Sequence, residues 1–239
     1  MSIAVKKKKK ELIKKRKYKT IFDRQLTKIS PEIKSVDMPE TVTNFNTPAT
    51  TTAQLINALE EGTGFWNRIG GIVSNQSLYI RGYIDAVQTS PGIPGLLRMI
   101  VFYDRQANGA LPAFNDVIRG VTNTGLNTND GLTGINPINR ERFLILYDKY
   151  MYGVGYLGTG TPTLMEGVNT QGKDGNNEFI IECYIPLRNL VTSYINELPT
   201  TPPTIAGIKT GSIGIFFVDS NSTNRRRAVW SARLTFTDK

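Results

Sequence analysis

The chain of 239 residues has no histidine and one cysteine, Cys183. Without histidine the commonest general base and metal ligand is missing, and Ser-His and Cys-His nucleophile pairs are excluded. A single cysteine closes no internal disulfide and builds no zinc site, so neither device holds the fold together. Cys183 lies in the apolar run 179–185 and reads as a small buried hydrophobe. No apolar run reaches the roughly 18 residues that a membrane helix requires. The basic N-terminus lacks the apolar stretch of a signal peptide. A phosphate-binding Gly-Lys-Ser/Thr signature and a nucleophile elbow are absent too. The expectation is a soluble, non-enzymatic protein from a reducing compartment, with no cofactor, no metal and no membrane contact.

Acidic residues are scarce in one place only. Residues 1–30 hold twelve Lys/Arg against Glu11 and Asp23, a local excess of +10, while the rest of the chain holds 17 basic and 18 acidic residues. The excess is therefore a tail on a nearly neutral body, unlike the charged groove of a folded nucleic-acid enzyme. Its centre is Lys6, Lys7, Lys8, Lys9 and Lys10, followed by Lys14, Lys15, Arg16, Lys17 and Lys19. At this charge density the segment buries too little apolar surface to offset its ordering entropy, which predicts a disordered arm. Flexible lysines bind phosphate without fixed geometry, because much of the free energy comes from counterion release. The residues point to sequence-independent nucleic-acid binding; a solvated tail, a nuclear-localisation signal and an anionic-membrane anchor are the alternatives.

Residues 31–50 read as a linker or first-strand region, where Pro31, Pro39 and Pro48 block a long helix. From residue 51 the pattern is that of strands, at 52–59, 71–86, 96–103, 142–150, 178–185, 211–219 and 228–237. Met99 to Tyr103 and Ile213 to Val218 are too continuously apolar for one wet face, so both strands should be covered on both sides. Long stretches at 107–139, 153–177 and 196–209 read as loops, with interfacial or surface roles. Several short strands joined by long excursions predict an all-β fold: a single jelly-roll, an eight-stranded double-sheet sandwich, over 51–239.

Smaller signals need weighing one at a time. Arg225, Arg226 and Arg227 form a second basic cluster at a turn between two late strands. They read as a nucleic-acid contact, a pairing with acids across a subunit interface, or a charged hairpin tip. Asp104 and Arg105 end the apolar run 99–102, where an ion pair or turn cap is the structural reading. Asn127-Thr128-Asn129-Asp130-Gly131 lacks the acidic spacing and final Glu of a calcium loop and reads as a turn. Phe65 and Trp66, ahead of a strand, are candidates for base stacking, core packing or an interface.

Four segments together resemble a known family. They are the lysine-rich start; Gly62-Thr63-Gly64 and Arg68-Ile69-Gly70 ahead of Ser77-Leu78-Tyr79-Ile80-Arg81-Gly82; Arg98-Met99-Ile100-Val101-Phe102-Tyr103-Asp104-Arg105-Gln106-Ala107-Asn108-Gly109-Ala110-Leu111-Pro112; and Asn136-Pro137 before Arg140-Glu141-Arg142-Phe143 and Leu146-Tyr147-Asp148. Over about residues 1–150 the chain resembles coat (capsid) proteins of small circular single-stranded DNA viruses that encode a replication initiator. The similar coat proteins of plant satellite and tombus-like RNA viruses share the pattern. The resemblance implies a jelly-roll subunit that self-assembles into an icosahedral shell, the smallest form having sixty copies (T=1). About 60 arms of about +10 would place on the order of 600 positive charges against the packaged genome. It also implies single-stranded DNA as cargo, residence in the virion, and passage through the host nucleus with an import receptor reading Lys6–Lys10 and Lys14–Lys17.

Overall fold

The computed structural model describes residues 32–47, 49–86, 96–119, 121–123, 126–128, 134–152, 156–157, 161–162, 179–195, 204–219 and 226–239. In chain order the elements are β1 (Ile33–Asn44), β2 (Gln54–Leu55), β3 (Ile72–Ala86), β4 (Leu96–Asp104), the one-turn helix α1 (Phe114–Val117), β5 (Val121–Asn123) and β6 (Leu126–Thr128). There follow β7 (Phe143–Tyr152), β8 (Tyr156–Leu157), β9 (Thr161–Pro162), β10 (Phe179–Tyr194), a 3-10 turn (Ile205–Gly207), β11 (Ile208–Thr210), β12 (Ser212–Asp219) and β13 (Arg226–Asp238).

The two main sheets run β1-β13-β3-β10-β11 and β2-β12-β4-β7. Counting only β1, β2, β3, β4, β7, β10, β12 and β13, the first strand pairs the last, the second the seventh, the third the sixth and the fourth the fifth, all antiparallel. The chain is thus one long hairpin rolled into two sheets, which is the jelly-roll. Rolling collects the turns at two ends. The start of β1, the 56–71 connection, the end of β4, the start of β7 and the chain's last residues share one end; the ends of β1, β3 and β12 and the starts of β4 and β13 lie at the other.

Six of the seven expected strands are present with shifted boundaries, and the run 52–59 is strand only at Gln54–Leu55, after which the chain leaves the sheet with Ile56 and Leu59 buried in the core. The prolines of 31–50 do not prevent a strand. β1 is an edge strand, and Pro39 sits where the register with β13 shifts between Met38 and Thr41, a place that tolerates a residue without an N–H. β10 continues past residue 185 to Tyr194 through a bulge between Pro186 and Leu190, where Arg188 and Asn189 take φ of 49° and 65°. That interruption breaks the alternation along the sequence. Asn127 and Thr128 belong to strand β6.

The main core fills the space between the sheets, around Trp230, Phe45 and Phe217, whose rings meet at centroid distances of 5.6 and 5.3 Å. A second cluster lies on the opposite side of β4 and β12, where Phe102 and Phe216 stack at 5.1 Å and Phe114 meets Phe216 edge-on at 5.5 Å. Here part of the 107–139 stretch is cover rather than surface: Phe114, Val117 and Ile118 fold over the sheet. Hence β12 is buried at every position and β4 at all but the first. Cys183 is buried in the main core, and burial pushes its thiol up to about 11.

Gly82 faces Trp230 across the β3–β13 pair. A Cβ there would meet the Val229 carbonyl oxygen at 2.3 Å and Trp230 Cα at 2.8 Å. Both are backbone atoms in a central sheet and cannot yield locally. Gly82→Ala is therefore expected to lower stability by roughly 1–3 kcal/mol, towards the upper value, in a urea titration.

Candidate nucleic-acid interface and arm root

The lysine block (Lys6 to Lys10, Lys14, Lys15, Arg16, Lys17 and Lys19) and Arg225 lie outside the described residues. What is described is the point from which that block departs. β1 begins at Ile33, paired with Thr237 near the end of β13. The next residue, Lys34, is 2% exposed; its Nζ pairs with Asp238 Oδ2 at 2.9 Å and donates to the Asn67 carbonyl at 3.1 Å. Asp238 Oδ1 accepts the Ile69 N–H at 3.0 Å, and the Lys239 N–H reaches the Ile72 carbonyl at 3.1 Å. The first lysine of the body is thus a clamp joining the arm's root, the C-terminus and the 56–71 connection. Nothing in its sequence context separates it from a phosphate-binding lysine; its inward face on β1 does.

The 56–71 connection is held from within by Arg68, which is 5% exposed. Its guanidinium donates to the carbonyls of Leu59 at 3.3 Å and Gly70 at 2.8 Å, pairs with Glu61 at 3.0 Å and lies 4.5 Å over the Tyr194 ring. Burial raises the Tyr194 phenol well above its ordinary range, and its hydroxyl donates to the Asn57 carbonyl at 2.7 Å. On this firm base Phe65, Trp66 and Ile69 stand outward, 51%, 64% and 60% exposed. Of the readings the sequence offers for Phe65 and Trp66, core packing is therefore the one their exposure opposes.

Arg226 is buried, and its guanidinium pairs with the fully buried Asp219 at 2.8 Å, joining the end of β12 to the start of β13. Arg227 is half-buried beside Asn44 on β1. The register carries Asn44 opposite Arg227 and Ile33 opposite Thr237, so ten residues of strand separate the arginines from the arm's root. At about 3.3 Å per residue that is roughly 33 Å. Arg226 and Arg227 thus stand at the opposite end of the sheet from Ile33, where β1 begins. Asp104 and Arg105 are likewise structural: Asp104, fully buried, accepts two bonds from Arg142 at 2.8 and 2.7 Å and caps the Gln106 N–H at 2.9 Å. Arg105 donates to the Glu141 carbonyl at 2.8 Å. Among the described residues no group of three or more Cys, Asp or Glu could hold a metal ion.

The structure also exposes a surface that the sequence reading passed over, the outer face of the β1-β13-β3-β10 sheet. Successive rungs place Asp37, Arg233, Tyr79 and Tyr184 in one row and Val42, Val229, Tyr83 and Ile180 in another, with Ser231, Arg81 and Glu182 between them. The alternation of Tyr79, Arg81 and Tyr83 along β3 is the signal that marked it.

Removing Arg226 leaves Asp219 buried without this counter-ion. Arg226→Ala is expected to cost about 3–5 kcal/mol in chemical denaturation, while the salt dependence of oligonucleotide binding stays at its wild-type slope.

No family model matches the chain. It is 33% identical over 89 residues to the coat protein of Maize white line mosaic satellite virus, a match that covers 37% of this chain and 38% of that protein's length.

Proposed function

We propose that this chain is a viral coat protein. Its jelly-roll body assembles into a closed shell, and its lysine-rich arm neutralises packaged single-stranded nucleic acid. The observation that carries this reading is the segregation of charge: an arm of +10 joined to a body of 17 basic and 18 acidic residues. The body is a jelly-roll, and the chain is similar over 89 residues to a satellite-virus coat protein. Several charged groups of the described body are spent on structure, as the Lys34–Asp238, Arg142–Asp104 and Arg226–Asp219 pairs illustrate. The lysine-rich arm is the concentrated source of positive charge for phosphate. We assign no catalysed reaction to the protein.

The finer form of the reading is a sixty-copy icosahedral shell around circular single-stranded DNA. It rests on the resemblance of residues 98–112 to coat proteins of small DNA viruses, and includes nuclear entry directed by Lys6–Lys10 and Lys14–Lys17. Nuclease sensitivity of the cargo decides DNA against RNA. The competing reading is a non-viral β-sandwich binding module with a basic tail, which would remain a monomer or small oligomer.

Negative-stain electron microscopy of the purified protein, with the ultraviolet absorbance ratio of the same fraction, tests the reading. Uniform closed particles with a nucleic-acid-like ratio are expected; a monodisperse monomer across salt and pH would exclude a coat protein. Deleting residues 1–20 removes ten Lys/Arg. The deletion should abolish most packaging, leave the body folded and flatten the log–log salt slope of single-strand binding by about 7. Assembly must bury apolar surface that the subunit leaves in water, and Phe65 and Trp66 are such surface. Truncating both to alanine is expected to raise the protein concentration needed for particles by more than about tenfold, with the melting temperature unchanged.

A further inference from the structure

Resting on the reading that the chain packages nucleic acid, we propose that the outer face of the β1-β13-β3-β10 sheet is a stacking platform for the bases of a single strand. Tyr184 and Tyr83 are the rings on which bases lie.

The face is built for planar partners. Tyr184 is 65% and Tyr83 39% exposed, and each is placed by strand register rather than by a loop. Tyr184 stands opposite Tyr79, and Tyr83 opposite Ile180, itself 68% exposed. Four residues separate the two rows along each strand, about 13 Å, so the rings are spaced to take separate bases of one chain. Tyr79 is already occupied: Arg81 lies 4.8 Å over its ring and its hydroxyl bonds Glu182. Arg81 belongs to the row between the two open rings, and its guanidinium is held over Tyr79; guanidinium planes are surfaces on which bases also stack.

The charges of the face balance. Arg233 grips Asp37 through two bonds of 2.6 and 2.7 Å, and Arg81 stands opposite Glu182. A phosphate gains little from such a surface, whereas a base gains stacking area. The phosphates are met by the arm, which leaves from Ile33 on the edge strand of this same sheet. The 32 residues ahead of Ile33 span at most about 110 Å when extended, and β13 is only about 43 Å long, so the arm reaches a strand lying anywhere on the face. One row lies between the rings, Ser231, Arg81 and Glu182, and it is polar. The row of Val42, Val229, Tyr83 and Ile180 carries apolar side chains across the four strands, Val42 and Ile180 being 56% and 68% exposed.

The test separates bases from phosphates. Full-length protein is titrated with a single-stranded thymidine oligomer and with an abasic deoxyribose-phosphate oligomer of equal length, at the same salt. Wild type is expected to prefer the base-bearing strand by about tenfold or more, since a base stacked on an aromatic ring contributes on that order. The Tyr83→Ala/Tyr184→Ala double variant should bring the ratio close to one with an unchanged salt slope, and Tyr184→Phe should keep it. No preference in wild type, or a preference retained in the double variant, would overturn the proposal. A double variant that keeps its base preference yet no longer forms particles would do the same and assign the face to contacts between copies. Particle formation by wild type is scored on the same samples. Base preference without particles retires the coat-protein reading alone, and particles without base preference retire the platform alone.

Discussion

β13 lies between β1 and β3, and the rest of the body depends on that double pairing. Its inward residues Trp230, Ala232, Leu234 and Phe236 supply one wall of the core, and its register with β1 brings the two ends of the chain together. The strand is tied at each end by a buried ion pair, Arg226 to Asp219 at its start and Asp238 to Lys34 at its finish. Gly82 gives way to Trp230 at its middle. An antiparallel strand with both neighbours paired and one face covered has a single usable register, because a slip of one residue would turn the core residues outward.

From this constraint follows the division between body and arm. The ion pairs of the body consume the charged groups that a reader of the composition would offer to nucleic acid, and the body's charge balances. The excess sits ahead of Lys34, where the chain leaves the edge of the sheet. Phosphate neutralisation by counterion release needs only charge density and reach, which an appended segment supplies without disturbing the core. Base contact, by contrast, needs rings held at fixed spacing, and these are found on the sheet.

The two faces of the sandwich are used differently. Phe114, Val117 and Ile118 of the 105–142 connection complete a second apolar cluster over β4 and β12, so those two strands are covered on both sides. Among the described residues, the opposite sheet's outer face carries tyrosine, arginine and small polar residues beside a row of Val42, Val229 and Ile180. Phe65, Trp66 and Ile69 stand exposed at the end where β1 begins. In the proposed reading, subunit association, base contact and phosphate binding fall to separate places on one chain.

Much of this was legible in the residues. The strands showed in their alternation, the doubly covered pair in the continuity of Met99 to Tyr103 and Ile213 to Val218, and the arm in its lysines. These are local properties, set by side-chain period and charge density. Arg226, one of a basic cluster open to a phosphate reading, pairs with buried Asp219; Tyr83 and Tyr184, brought together by strand register, share one face of the sheet. The bulge at Arg188 and Asn189 hid the second half of β10. Such facts depend on which strand pairs with which, and in what register. That is decided by contacts between residues as far apart as Asp37 and Arg233, which no local pattern encodes.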